Sequence, residues 1–221
     1  MNIMRLSMKV WDAPTRLFHW ALALLVFTSW YTDEIDRTDL HFLSGYAILT
    51  LLVFRLVWGV IGSDTARFSQ FIRSPLEGLR HLAHFGKREP DEQIGHNAAG
   101  GWMVLMMLTL LLIQVITGLC SHADFEKAPF SEAVGKDLSD FATRVHGINF
   151  TLIEIAVAVH VLVILAYAVI KRQDLVRPMI TGKKRLPATL RAPRLSNPLL
   201  ALALAVVCGL LVWGLVSLGS A

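Results

Sequence analysis

Two histidines inside one long apolar run constrain this chain more than any other feature. The stretch Arg144–Tyr167, RVHGINFTLIEIAVAVHVLVILAY, reads as a helix carrying His146 and His160, fourteen residues apart. At about 1.5 Å and 100° per residue, that gap is roughly 21 Å along the axis with a net turn of only about 40°. Both imidazoles therefore leave nearly the same face, one toward each end of a membrane-length helix. Ionisable side chains in such a segment are costly and mark functional sites facing a bundle interior.

The rest of the chain reads as membrane protein. It has 221 residues, 54% hydrophobic and 17% charged, with mean hydropathy +0.54, whereas an ordinary soluble domain carries about 25% charge. Five apolar segments approach the ~20 residues that cross a bilayer. They run Arg16–Thr32, Leu40–Ile61, Ala98–Leu119, Gly147–Ile170 and Pro198–Leu218, the first being the shortest. Tyr31-Thr32-Asp33-Glu34 follows the first segment in place of a small-residue cleavage site, so it is expected to be a retained helix and not a signal peptide. The fold expected is an all-α integral membrane protein, with four core transmembrane helices and a fifth at the C-terminus.

Basic residues set the expected orientation. Arg5, Lys9 and Arg16 precede the first span; Arg67, Arg73, Arg80, Lys87 and Arg88 follow the second; Lys171, Arg172, Arg177, Lys183, Lys184, Arg185, Arg191 and Arg194 follow the fourth. The opposite side holds Arg37, Lys127, Lys136 and Arg144. This bias predicts a cytoplasmic N-terminus and a periplasmic C-terminus in a multi-pass inner-membrane protein. It also accounts for the pI near 9.3 through topology and lipid contact, so nucleic acid has no place. Only Cys120 and Cys208 occur, without C-x-x-C-H, which excludes covalent haem attachment and any cysteine-held cluster.

The connections carry local signals. Ser74, Pro75 and Glu77 make a capping-box pattern that predicts a short amphipathic surface helix ending near Gly86, with Leu76, Leu79, Leu82 and Ala83 on one face. His81 and His84 read as its solvated side. Beyond the third span lie Asp124, Glu126, Glu132, Asp137 and Asp140, and Val134, Leu138, Phe141 and Val145 predict a separate lid helix there.

Depth sorts the remaining histidines. His19 on the first span lies at the depth of His160, and His41 on the second lies at the depth of His146. Two depth-matched pairs on facing helices are the pattern that holds b-type haem. Zinc or copper wants three or four ligands close together, and Glu154 is the one carboxylate within these segments, which argues against hydrolytic chemistry. A haem-free transporter or assembly anchor with polar histidines is the competing reading, but neither an internal repeat nor a broken mid-membrane helix supports it.

Ordered motifs add a resemblance. R-x-x-H-W at Arg16–Trp20, H-x-x-x-G-Y at His41–Tyr46, F-R-x-x-W-G at Phe54–Gly59, G-H-N-x-x-G-G at Gly95–Gly101 and the fourteen-residue histidine gap together resemble the bacterial cytochrome b561 family and the b-type cytochrome subunits of nickel–iron hydrogenases. The resemblance covers about residues 10–180 of a single membrane domain (1–221), leaving 181–221 as a basic connection and an additional helix. It implies two non-covalent haem b groups, His19 with His160 on one and His41 with His146 on the other. Electron relay follows, between a quinone/quinol pool and a periplasmic cytochrome c or hydrogenase-like protein, by a subunit more than by a stand-alone enzyme.

Depth and charge make Arg16, Arg55 and Arg144 candidate contacts for haem propionates, and His96 a candidate contact for a quinone or a propionate. Membrane lipid and a second copy of the chain complete the list of candidate partners. No catalytic residue is expected.

Overall fold

The computed structural model describes residues 4–84, 86, 92–122 and 128–219. Lys87, Arg88, Asp124, Glu126 and Lys127, counted above, lie outside the described residues, as does the side chain of Leu82. The elements run β1 (Arg5–Lys9), α1 (Ala13–Glu34), α2 (Thr38–Ile61), a 3-10 turn (Asp64–Ala66), α3 (Phe68–Phe71), α4 (Pro75–Ala83), α5 (Ala98–Cys120), α6 (Ser131–Val134), α7 (Lys136–Ala166) with a π-helical turn (Tyr167–Lys171), α8 (Val176–Thr181), β2 (Lys183–Pro187) and α9 (Pro198–Gly219).

Among the described residues, four helices are long and apolar enough to cross a membrane: α2, α5, α7 with its π turn, and α9. The chain is a multi-pass integral membrane protein. At 22 residues α1 is long enough too, but Arg16, His19, Ser29, Thr32, Asp33 and Glu34 lower its hydropathy below that of the four. Its apolar residues are nonetheless ordered. Leu17, Trp20, Leu24, Phe27 and Tyr31, three or four apart, are exposed and form one apolar stripe, while Phe18 and Thr32 are buried.

One expectation changes. The predicted lid helix is not a separate element: α7 begins at Lys136 and takes in Leu138, Phe141 and Val145, leaving only the single turn α6 before Gly135 at φ +79°. The fold is the helical membrane protein expected, with one small addition to its helices. β1 and β2 pair antiparallel, Arg5 opposite Pro187 through Lys9 opposite Lys183.

The described chain falls into two compact units. The first comprises Met1–Leu17, Leu56–Met106 and Val157–Ala201, and so gathers the β ribbon, α3, α4, α8, the starts of α1, α5 and α9, and the ends of α2 and α7. Its core is Val10, Trp11 and Leu186, with Met8, Ile94, Met179 and Leu190 packed around them. Motif glycines allow close approach here. A Cβ on Gly59 would lie 2.1 Å from the Phe68 ring, and one on Gly101 would lie 2.5 Å from the Phe71 carbonyl oxygen.

Asp12 opens α1 within the same unit. Its Oδ1 accepts the Thr15 N–H at 2.7 Å, an N-cap bond, and its Oδ2 accepts the indole N–H of fully buried Trp58 at 3.1 Å. The second unit comprises Phe18–Arg55, Met107–Ala156 and Leu202–Ala221. Both cysteines belong to it, and both are free thiols.

Candidate functional site

The second unit brings His41 of α2 and His146 of α7 together. Their ring centres are 6.2 Å apart with an interplanar angle of 72°. A main-chain carbonyl holds each ring from behind. His41 Nδ1 donates to the Ser29 carbonyl of α1 at 2.9 Å, and His146 Nδ1 donates to the Gln114 carbonyl of α5, also at 2.9 Å. Beside these contacts lie Ser29 Oγ, 3.3 Å from His41 Nδ1, and Thr117 Oγ1, 3.3 Å from His146 Nδ1. Because a carbonyl can only accept, Nδ1 carries a proton in both rings, and in the neutral imidazole Nε2 then keeps its lone pair. Metal-ligating histidines are typically held this way, with the second nitrogen fixed and the tautomer set by a neighbour's acceptor.

The two rings line a cavity that also includes Val26, Phe42, Gly45, Leu111, Val115 and Phe150. Two glycines shape it differently. A Cβ on Gly45 would meet nothing within 4 Å, whereas one on Gly118 would lie 2.9 Å from His146 Cε1. Gly118 is thus the room in which the His146 ring stands.

The donor set can be tested against a haem. Imidazole nitrogen binds a first-row metal at about 2.0–2.1 Å, and adding about 1 Å from nitrogen to ring centre on each side gives a ring separation of about 6 Å. The observed 6.2 Å, the two available lone pairs and the apolar walls fit the iron and flat macrocycle of a b-type haem. Among the described residues no group of three or more His, Cys, Asp and Glu could hold a metal ion.

A polar clasp joins α5 to α7 beside His146. Asn149 is buried, and its Nδ2 donates to Gln114 Oε1 at 2.7 Å and to the Leu110 carbonyl at 2.9 Å. Gln114 therefore holds His146 by its backbone and Asn149 by its side chain. Interhelical hydrogen bonds in membranes average about 0.6 kcal/mol and reach about 1.7. Asn149→Leu and Gln114→Leu, combined in a double-mutant cycle of thermal unfolding in detergent, are expected to show a coupling energy in that range. Strict additivity would mean the clasp contributes nothing.

The other site residues fall as follows. His19, on α1 in the second unit, is half-buried and meets the Trp20 ring edge-on at 4.9 Å. His160, on α7 in the first unit, is half-buried. Arg16 donates through Nη1 to the Ile180 carbonyl and through Nε to the Asp12 carbonyl at 3.3 Å, so part of its fork fastens α8 to the start of α1. Arg55 is buried, its guanidinium 6.0 Å from the Phe18 ring centre. Arg144 is exposed.

His96 sits between Trp11 and Phe71, both 4.8 Å away centre to centre. It borders a polar groove of about 490 Å³ that Arg73, Arg80, His81 and Asn97 also line. His81 is not merely solvated: its Nε2 lies 2.8 Å from the Tyr167 hydroxyl, to which Asn97 Nδ2 donates at 2.7 Å. Sequence reading missed Ser29, Gln114, Thr117 and Gly118. Two of these act through backbone carbonyls, which leave no residue signature.

The chain is 25% identical to a probable Ni/Fe-hydrogenase B-type cytochrome subunit of Rhizobium leguminosarum bv. viciae, over 82% of this chain and 90% of that protein. It is 21% identical to the Bradyrhizobium diazoefficiens protein of the same description, over 82% and 87%. For the Rhodobacter capsulatus protein, again so described, the identity is 24% over 81% and 82%. No solved structure matches. The model of the family described as prokaryotic cytochrome b561 matches residues 10–182, spanning every one of the ligand-type histidines discussed above, and the chain belongs to that family.

Proposed function

We propose that this protein is a transmembrane di-haem b-type cytochrome carrying electrons across the cytoplasmic membrane between a quinone/quinol pool and a redox partner protein. Hydrogenases of the kind named in its relatives are the first candidate partner, and a periplasmic cytochrome c is the second. The observation that carries the reading is the His41–His146 pair, with both Nδ1 atoms fixed on carbonyls and their ring centres 6.2 Å apart.

His41 and His146 hold one haem in this reading, and His19 and His160 hold the other. Bound haem supplies one-electron chemistry whose potential the axial ligands and their neighbours set. The chain's own part is to fix both imidazole tautomers, keep the site dry with Val26, Leu111 and Val115, and offer Arg16, Arg55 and Arg144 to propionates. His96, which borders the polar groove of the first unit, is the proposed contact for a quinone or a propionate. The basic residues gathered in that unit favour a cytoplasmic N-terminus and a periplasmic C-terminus within a single inner-membrane domain. The reaction belongs to the assembly, and this chain is its electron-carrying subunit.

A reduced-minus-oxidised spectrum of the purified protein is expected to show a b-type α-band, with a haem-to-protein ratio near two. His160→Ala should bring that ratio toward one. A protein without a Soret band would sink the proposal, and a His160→Ala variant retaining both haems would sink the ligand assignment.

A further inference from the structure

The β ribbon has a charged face. In an antiparallel pair, directly opposed residues share a side of the sheet and alternate residues change sides. The register therefore puts Arg5, Ser7 and Lys9 of β1 on one face with Pro187, Arg185 and Lys183 of β2. The other face carries Leu6, Met8, Leu186 and Lys184. Leu186 is fully buried against Val10 and Trp11, and Lys184 reaches away to the Gln93 carbonyl at 2.8 Å. Arg5, Lys9, Lys183 and Arg185 are all exposed, and neither strand contains an acid.

Lys9 stands directly opposite Lys183. Like charges facing each other across strands destabilise a ribbon, and two strands alone are only marginally stable. The backbone closes the ribbon firmly nevertheless, through Val10 N to the Gly182 carbonyl at 2.8 Å and Ala188 N to the Met4 carbonyl at 2.9 Å. Gly182 takes φ +77°, and a Cβ there would lie 2.8 Å from the Trp11 carbonyl oxygen, so the turn that sets this register depends on glycine. The fold thus holds two opposed lysines, with an arginine beyond each along the same face, and supplies no anion on either strand.

The anion is at hand in the surroundings. The unit that contains the ribbon also contains the starts of α1, α5 and α9 and the ends of α2 and α7, which is one membrane edge. Lys9 is three residues from Asp12, where α1 is capped. Apolar side chains accompany the cations: Val176 and Ile180 on α8, the helix that leads into β2, are exposed. Cations with neighbouring exposed apolar groups are the signature of an interfacial surface, and each lysine or arginine near an anionic leaflet adds attraction.

We infer that the Arg5/Lys9/Lys183/Arg185 face of the ribbon is a docking surface for the phosphodiester headgroups of anionic phospholipid. The lipid relieves the Lys9–Lys183 repulsion and so tightens the N-terminus onto the α8–β2 segment.

The test is thermal unfolding of the full-length holoprotein in neutral detergent supplemented with phosphatidylglycerol or with phosphatidylcholine. Wild type is expected to melt several degrees higher with phosphatidylglycerol. Raising the salt until the Debye length falls from about 30 Å to about 3 Å should remove most of that increment. K9Q/K183Q is expected to melt no lower than wild type in phosphatidylcholine and to lose at least half of the increment. A merely structural lysine pair would lower the first value and leave the second alone.

A full increment in K9Q/K183Q overturns the inference, because the lipid would then act elsewhere on the protein. The same increment from inorganic phosphate overturns it in favour of a free-anion site. Should K9Q/K183Q fold poorly, K183Q alone carries the same expectations, and the salt dependence of wild type needs no substitution at all.

Discussion

With two haems bound as proposed, Gly118→Ala is expected to lower the haem content of the purified protein toward half that of wild type while leaving its helicity intact. The argument is steric. The added Cβ would lie 2.9 Å from His146 Cε1 and 3.3 Å from its Nδ1, closer than side-chain carbons pack. Relief requires the ring to move, yet Nδ1 is held by the Gln114 carbonyl at 2.9 Å, and the Asn149 clasp fixes Gln114 itself. Overpacking of this kind costs about 1–3 kcal/mol where neighbours cannot yield. Loss of an orienting partner typically costs about 10–100-fold in metal affinity.

Gly214→Ala on α9 is the matched control. A Cβ there meets nothing within 4 Å, and alanine is the better helix former by about 1 kcal/mol. Its haem content should equal wild type's. Pyridine haemochrome assay of both variants, with circular dichroism alongside, decides the matter. Full haem content in Gly118→Ala would mean that the His146 ring is not held where the ligand reading needs it.

Gly118 also marks where sequence reading stops. The histidines were legible because an imidazole in an apolar run has few other uses, and the fourteen-residue gap follows from helix geometry alone. The four strongly apolar spans were legible because membrane length and composition leave little choice. A glycine in a membrane helix, by contrast, is common, and nothing local separates Gly118 from Gly214 or Gly147. The acceptors on Ser29 and Gln114 are backbone atoms, and any residue at those positions would supply them.

The ribbon was half visible. Met4, Leu6, Met8 and Val10 alternate with polar or basic residues, the period of a strand, but Lys183–Pro187 shows no alternation and lies more than 170 positions away. The lid helix failed for a different reason. Its apolar spacing was read correctly, yet the same spacing runs on without a break into α7, so the periodicity could not mark a boundary.

Asp12→Ala is expected to cost the first unit about 2–4 kcal/mol of stability. Two losses add. Removing the cap of α1 costs typically ~1 kcal/mol. The buried Trp58 indole is left without its acceptor, which costs about 1–3 kcal/mol more. Asp12→Asn separates these terms. An amide oxygen can still accept the Thr15 N–H, but the Nδ2 group is a donor facing the Trp58 donor, so the variant should recover the cap and not the indole bond. Trp58→Phe tests the second term from the other side, since it removes the donor and leaves the cap; combined with Asp12→Asn it should cost less than the two single changes summed. Thermal unfolding of wild type and the four variants in one detergent would check this. If Asp12→Asn proved as stable as wild type, the indole bond would contribute nothing, and the burial of Asp12 at 3% exposure would have to be explained by the cap alone.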